Sequence, residues 1–383
     1  MPLHEHIGIT TTNNPTLSSL STQLRSQHEE KTPSSNMSRP KIAVLDDYAN
    51  FAPQFISQFS DRLDISYFPD TLNPAVPADL DALVERLSPF PIISTMRERT
   101  PFRKALLERL PNLKVLLTTG MRNLGIDTET CKERGIVVVG TRGAHKVPNF
   151  DTTNEQTWAL ILGLAKGIAE HDALVKNEPS RWQASVSLGL AGKTLACLGL
   201  GRLGLQCART AVLGFGMKAV AWSPNLTQEK ADEGVASVGL QAGSVRVASS
   251  KEELFREADV LSVHLVLSDR SRGSVGAQEL SWMKKSAMLV NTSRGPLVAE
   301  QALLDALKKG QIRGFAADVF DTEPLPKDSP WRNSQWGQDG TSHVLISPHM
   351  GYVEEQTLTG MYKETVENIR QWLDGEEFKN KMV

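Results

Sequence analysis

A chain of 383 residues, 40% hydrophobic and 22% charged, is too long for one typical core, and two domains are expected. Its 42 basic and 44 acidic residues leave a formal charge of −2, so no global field points to nucleic acid or an anionic membrane. No apolar run approaches the ~20 residues of a membrane span, and Cys131, Cys197 and Cys207 are too scattered for a disulfide framework or a zinc site. An intracellular, cytoplasmic protein without a metal is expected.

Residues 1–40 are rich in Ser, Thr, Asn, Gln and Pro and lack hydrophobic periodicity, which predicts a disordered extension. Glu5, Glu29 and Glu30 argue against a mitochondrial presequence. From Lys41, strand patterns at 42–45, 63–68, 92–94, 115–118 and 136–139 alternate with helical patterns at 51–59, 78–87, 102–110 and 128–134. That alternation predicts a parallel sheet covered by helices on both faces. A broad apolar stripe follows at 154–169, through Trp158, Ile161, Leu162, Leu164 and Ile168, and predicts a helix packed between domains or between subunits.

Residues 194–204 read T-L-A-C-L-G-L-G-R-L-G, a short apolar strand running into Gly199, Gly201, Arg202, Leu203 and Gly204 and then a helix. This is the G-x-G-x-x-G arrangement of a dinucleotide site. Gly199 makes the tight turn, Gly201 lets backbone approach a pyrophosphate, and Gly204 lets helix pack on strand. A second α/β series follows, with strands at 219–222, 260–265, 288–291, 314–319 and 344–347. Ser249 with Glu252, and Ser250 with Glu253, both fit a capping box for the helix through Phe255. A final helix, 355–373, is expected to fold back onto the first domain.

Three stretches place charged or titratable groups at strand ends, where open α/β sheets bind ligands. Arg294 follows the apolar run 288–291 and precedes Gly295-Pro296; a guanidinium there can fork onto a carboxylate and an adjacent carbonyl. Asp318 and Glu323 lie in A-A-D-V-F-D-T-E-P, and His349 lies in I-S-P-H-M-G-Y. A histidine beside a carboxylate can give a proton to a carbonyl oxygen as hydride arrives at carbon. His264, inside a strand pattern, reads as structural.

These four motifs, in this order, resemble the D-isomer-specific 2-hydroxyacid dehydrogenase family from about Lys41 to the C-terminus. The resemblance implies an α/β fold of two doubly wound parallel-sheet domains, with a Rossmann dinucleotide-binding domain (151–347) inserted in a flavodoxin-like substrate domain (41–150 and 348–383). It implies that Arg294 orients a 2-oxo acid, that His349 is the general acid/base and that Glu323 is its partner. It further implies that Asp318 touches the nicotinamide carboxamide, that Thr292 and Gly351 line the cofactor, and that the chain forms a homodimer. The stretch with Gly120 and Asn123 resembles the loop whose backbone amides hold the substrate carboxylate. Arg97-Glu-Arg-Thr100 resembles a basic loop at the same cleft; its arginines meet a second anionic group or are solvated surface, and both readings stay open.

Two departures stand out. Gln156 occupies a position where the family often has histidine. At the ribose position, A-W-S-P-N (221–225) has no acid to select NAD and no arginine to welcome the phosphate of NADP. Ser223 or Asn225 can hydrogen-bond either form, so NAD is expected with NADP not excluded. The connection 327–343 predicts a surface loop. The leading reading is hydride transfer between NAD(P)H and a 2-oxo acid; the alternative on the same fold is a dinucleotide-sensing protein resembling the C-terminal-binding corepressors.

Overall fold

Twelve parallel strands form two sheets among the described residues, 39–143, 147, 150–183 and 185–383 of this computed structural model. The expectation for 1–40 therefore lies, up to residue 38, outside the described residues. The first sheet holds β1 (Lys41–Leu45), β2 (Asp64–Phe68), β3 (Ile92–Thr95), β4 (Val115–Thr118) and β5 (Val137–Val139) in the order β2-β1-β3-β4-β5. That is the flavodoxin-like order. The second holds β6 (Thr194–Leu198), β7 (Lys218–Trp222), β8 (Val245–Val247), β9 (Val260–Val263), β10 (Met288–Asn291), β11 (Gly314–Ala317) and β12 (His343–Ile346), ordered β12-β11-β10-β9-β6-β7-β8. The strand order reverses at β6, a topological switch point, and the glycine turn sits at its end.

The strands read as continuous apolar runs because helices cover both faces. β3, β4, β9, β10 and β11 are buried at every position. Register then sets the site: Asn291 lies level with Val263 and Ala317, and Leu198 with Val263. Gly199, His264, Thr292 and Asp318 consequently leave the sheet side by side.

The closing helix, Glu355–Asp374, brings Leu358, Met361, Tyr362 and Ile369 into the core of β1 and β3, and the Tyr362 ring stacks on Phe55 at 5.6 Å. Beyond it, Met382 N–H donates to Val138 and Gly140 N–H to Asn380, so the chain end covers the open edge of β5.

Three local expectations differ from the structure. The 154–169 helix is two helices, Thr152–Lys166 and Ile168–Asn177, because Gly167 takes the left-handed conformation (φ +62°) and ends the first. The first buries Trp158, Ile161 and Leu164 against the second sheet, and Trp158 stacks on Phe215 at 4.6 Å. The three-residue edge strand β8 has no counterpart in the sequence reading. The connection 327–343 is not merely surface, since Trp331 is buried 5.3 Å from Phe315 and closes the core beneath β11. Of the two capping boxes, Ser250 caps: its hydroxyl accepts from Glu253 N–H.

Candidate active site

Two glycines of the turn are required by the packing around them, and the third leaves room beside the backbone. Gly199 has φ +99° and lies so close to β9 that a Cβ would stand 3.0 Å from the His264 carbonyl. A Cβ on Gly204 would stand 2.4 Å from the Gly199 carbonyl oxygen, so only glycine lets the Arg202–Phe215 helix pack here. At Gly201 a Cβ would meet nothing within 4 Å, which leaves open space beside the backbone. Gly201 caps the helix without a side-chain bond, so first-turn N–H groups and the positive end of the dipole are available to an anion. A pyrophosphate fits this cradle. Gly204→Ala forces the helix away from the turn; a loss of ~1–3 kcal/mol in unfolding free energy and weaker dinucleotide binding are expected. Thermal unfolding and cofactor titration check this, and an unchanged affinity would count against the cradle. Arg202 forms an ion pair with Asp151 at the cleft edge, and Leu203 lines the cleft.

His349 adopts a left-handed backbone (φ +56°), a conformation a histidine holds only when its surroundings impose it. Asp318 imposes it. Its Oδ1 accepts from Met350 N–H (2.8 Å) and the Ser347 hydroxyl (2.5 Å), and its Oδ2 from Gly351 N–H (2.8 Å). Gln156 donates in turn to Ser347 Oγ at 2.9 Å, which gives the unusual glutamine a positioning role. Burial raises the Asp318 carboxyl above the ordinary carboxylate value, against the pull of these bonds. Asp318 reaches the cleft wall, yet its oxygens already hold the His349 loop, a role that the sequence reading missed.

The loop so held places His349 Nδ1 2.5 Å from Glu323 Oε2, while Glu323 Oε1 accepts Phe320 N–H at 2.8 Å. The carboxylate is thus fixed by backbone and the ring by the carboxylate. Tyr352 meets the imidazole edge to face at 5.4 Å. Nε2 has no protein partner among the described residues and remains for a ligand in the cleft that His349 lines.

Arg294 stands on a loop braced at three points. Asn291 donates to the Arg294 carbonyl (2.9 Å) and accepts Ser293 N–H (3.1 Å), and the Ser293 hydroxyl donates to Val263 (2.9 Å). Gly295 lies against the Phe320 backbone, where a Cβ would come within 2.1 Å, so the Arg294 and Glu323 loops touch directly. The guanidinium donates to Ser293 O at 2.7 Å and lies 3.7 Å from Glu98 Oε1. Thr292 is buried with its hydroxyl 2.7 Å from that of Thr157.

Loops of the first sheet supply the facing wall. Arg97 has φ +52°, its N–H donates to Thr119 Oγ1 at 3.0 Å, and its Nε lies 3.5 Å from Glu98 Oε2. Its guanidinium covers Gly120, where a Cβ would meet Nη1 at 2.2 Å. Two expectations change. Gly120 N–H is already donated to Thr141 Oγ1 at 2.9 Å instead of waiting for a carboxylate. Asn123 spends its amide on the Arg97 carbonyl (2.5 Å), Thr118 Oγ1 (2.9 Å) and Gly125 N–H (2.8 Å), so it positions Arg97. Arg99 lies 4.2 Å over the Tyr48 ring and 5.7 Å from that of Tyr352, and donates to Asp46 O at 2.8 Å.

The two walls enclose a cleft of about 820 Å³, with Arg97, Glu98, Gly120, Thr292, Arg294, Asp318, His349 and Gly351 on its surface. His264 lines it too, both ring nitrogens buried without a partner among the described residues. Ser223 follows β7 beside the glycine turn, and the Lys230 ammonium rests on Asn225 O at 3.3 Å.

The sequence model of one protein family, described as D-isomer specific 2-hydroxyacid dehydrogenase, NAD binding domain, matches residues 158–351. The chain is similar to the D-3-phosphoglycerate dehydrogenase of Methanocaldococcus jannaschii, 31% identical over 300 residues that cover 78% of this chain and 53% of that one. It is 33% identical over 282 residues to the glyoxylate reductase of Thermococcus litoralis, covering 71% of this chain and 78% of that one. Among solved structures, the phosphoglycerate oxidoreductase of Vibrio cholerae O395 superposes with a TM-score of 0.74 at 32% identity, covering 88% of this chain and 99% of the other. The matched region thus spans about half the length of the first relative and most of the other two.

Proposed function

Since the chain belongs to the D-isomer-specific 2-hydroxyacid dehydrogenase family, we propose that it reversibly reduces a 2-oxo acid to a D-2-hydroxy acid. NAD is its cofactor, as the matched NAD-binding domain indicates, and the glycine turn fits it. The observation that carries the reading is the His349–Glu323 pair on the wall that also bears Arg294.

Bound NADH supplies the hydride; the chain does the rest. Arg294 forks onto the acid's carboxylate and carbonyl and fixes which face of the carbon is presented. His349 Nε2 donates its proton to the carbonyl oxygen and takes it back in the oxidative direction. Glu323, held by Phe320 N–H, keeps the ring oriented with Nε2 toward the cleft. Asp318 holds the loop on which His349 stands.

The family and its named relatives support this enzyme over the corepressor-like alternative. NADH and NADPH should be tested against glyoxylate, hydroxypyruvate, phosphohydroxypyruvate and bulkier 2-oxo acids. Loss of reduced-cofactor absorbance with at least one acid is expected; failure with all of them would overturn the reading. Both cofactors are proposed to bind, because no carboxylate stands at Ser223-Pro-Asn225 to repel a 2′-phosphate, and Lys230 lies nearby.

Residues 41–150 with 348–383 are proposed as the substrate domain and 151–347 as the cofactor domain; the closing helix in the core of β1 and β3 supports this division. A homodimer is proposed as well. Its contact is not the buried part of the 154–169 stripe, Trp158, Ile161 and Leu164, but the exposed apolar residues from the end of that stripe onward: Ile168, Val175, Trp182 (75% exposed) and Val186 (88% exposed). Trp182→Asp together with Val186→Asp should convert a dimer to a monomer by light scattering, and a wild type that is monomeric would discard it. Among the described residues no helix is long and apolar enough to cross a membrane. A cytoplasmic location is proposed because the three cysteines are buried free thiols, suited to a reducing compartment.

A further inference from the structure

Glu98 lines the cleft outside both the acid–base pair and the cofactor cradle. Glu98 reaches Arg97 Nε with Oε2 (3.5 Å) and Arg294 Nη2 with Oε1 (3.7 Å), so a single side chain spans two guanidinium groups. Its place is built: Arg97 is clamped by Thr119 on its N–H and by Asn123 on its carbonyl, which fixes the backbone that leads into Glu98. Arg99 does not line the cleft. Its guanidinium is stacked on Tyr48 and hydrogen-bonded to Asp46.

We propose that Glu98 determines substrate charge: it cancels Arg97, leaves Arg294 for one carboxylate, and turns away 2-oxo acids that carry a second anionic group. This rests on the proposed reduction of 2-oxo acids. Arg97, Arg294 and Glu98 together carry one net positive charge, which one substrate carboxylate neutralises. Without Glu98 the pair of arginines carries two, the complement of a phosphate- or carboxylate-bearing acid. With Glu98 present, a second anionic group of the substrate meets a like charge in a partly buried cleft, where repulsion is stronger than in water. Discrimination built on repulsion is lost when the repelling group becomes neutral, even if every attractive contact survives.

The test compares hydroxypyruvate with phosphohydroxypyruvate, which differ only by the phosphoryl group, in wild type and Glu98→Gln. Wild type is expected to prefer hydroxypyruvate. The substitution is expected to move the kcat/KM ratio at least ~10-fold toward the phosphorylated acid, and added salt should shrink that shift. Taking the ratio within each protein cancels any loss common to both acids. A ratio unchanged within about twofold, or a wild type that already prefers the phosphorylated acid, overturns the inference while leaving the proposed reaction intact. The wild-type comparison decides even if the variant does not fold. Should wild type reduce no 2-oxo acid, the proposed reaction fails instead. The affinities of the same two acids, titrated by calorimetry in the presence of NAD, then decide the charge selection by the same ratio.

Discussion

Replacing His349 by glutamine should lower kcat by ~10²–10⁴-fold, the usual contribution of a positioned general acid. The substitution keeps a polar side chain of similar reach but removes the group that can shuttle a proton. Asp318 acts on the backbone N–H groups of Met350 and Gly351 and on Ser347, none of which involves the imidazole, so the loop should survive. Cofactor affinity should therefore stay near that of wild type, because the cradle at Gly199–Gly204 lies on other elements. Steady-state turnover combined with NADH titration separates the two effects. Turnover within tenfold of wild type would mean that water or another group protonates the oxygen, and His349 would lose its assignment. Glu323→Gln should cost less, since the amide still accepts Phe320 N–H while the charge facing Nδ1 is gone.

Much of this arrangement was legible in the sequence because its determinants are local. The glycine turn is three residues with three separate reasons, and the structure shows two of them, the turn at Gly199 and the close helix packing at Gly204. Strand identity followed from continuous apolar runs, which only a sheet covered on both faces demands. What the sequence could not disclose were contacts between segments far apart in the chain. Nothing in the spacing of Glu98 and Arg294, or of Asn123 and Arg97, announces that they touch. Asp318 illustrates the limit: its place at a strand end was readable, yet its bonds to Ser347, Met350 and Gly351 depend on the register that sets β11 beside β12. The helix expected over 154–169 and the surface loop expected over 327–343 differ from the structure for a related reason. A left-handed helix end and a buried indole in a polar connection are both decided by what packs around them.

Arg294→Lys should lower kcat/KM for the best 2-oxo acid by ~10²–10³-fold, about 3–4 kcal/mol for an unmade charged contact of this kind. Lysine keeps the charge, so the size of the effect reports geometry. An ammonium is a point donor on a flexible stem, whereas the guanidinium presents two parallel N–H groups to a carboxylate and its neighbouring carbonyl. KM should rise because the carboxylate contact exists in the ground state, and kcat should fall because charge develops on the carbonyl oxygen as hydride arrives. The scaffold under residue 294 does not depend on its side chain. Asn291 and Ser293 hold the loop through backbone atoms, and Gly295 lies against the Phe320 backbone. Thermal unfolding should accordingly shift little. The lysine variant also distinguishes the two neighbours of Glu98. With the guanidinium replaced by an ammonium, Glu98 and the substrate carboxylate compete for one point donor instead of sharing a fork. Arg294→Lys combined with Glu98→Gln should then recover part of the lost kcat/KM, and the absence of any recovery would mean that the two side chains act independently.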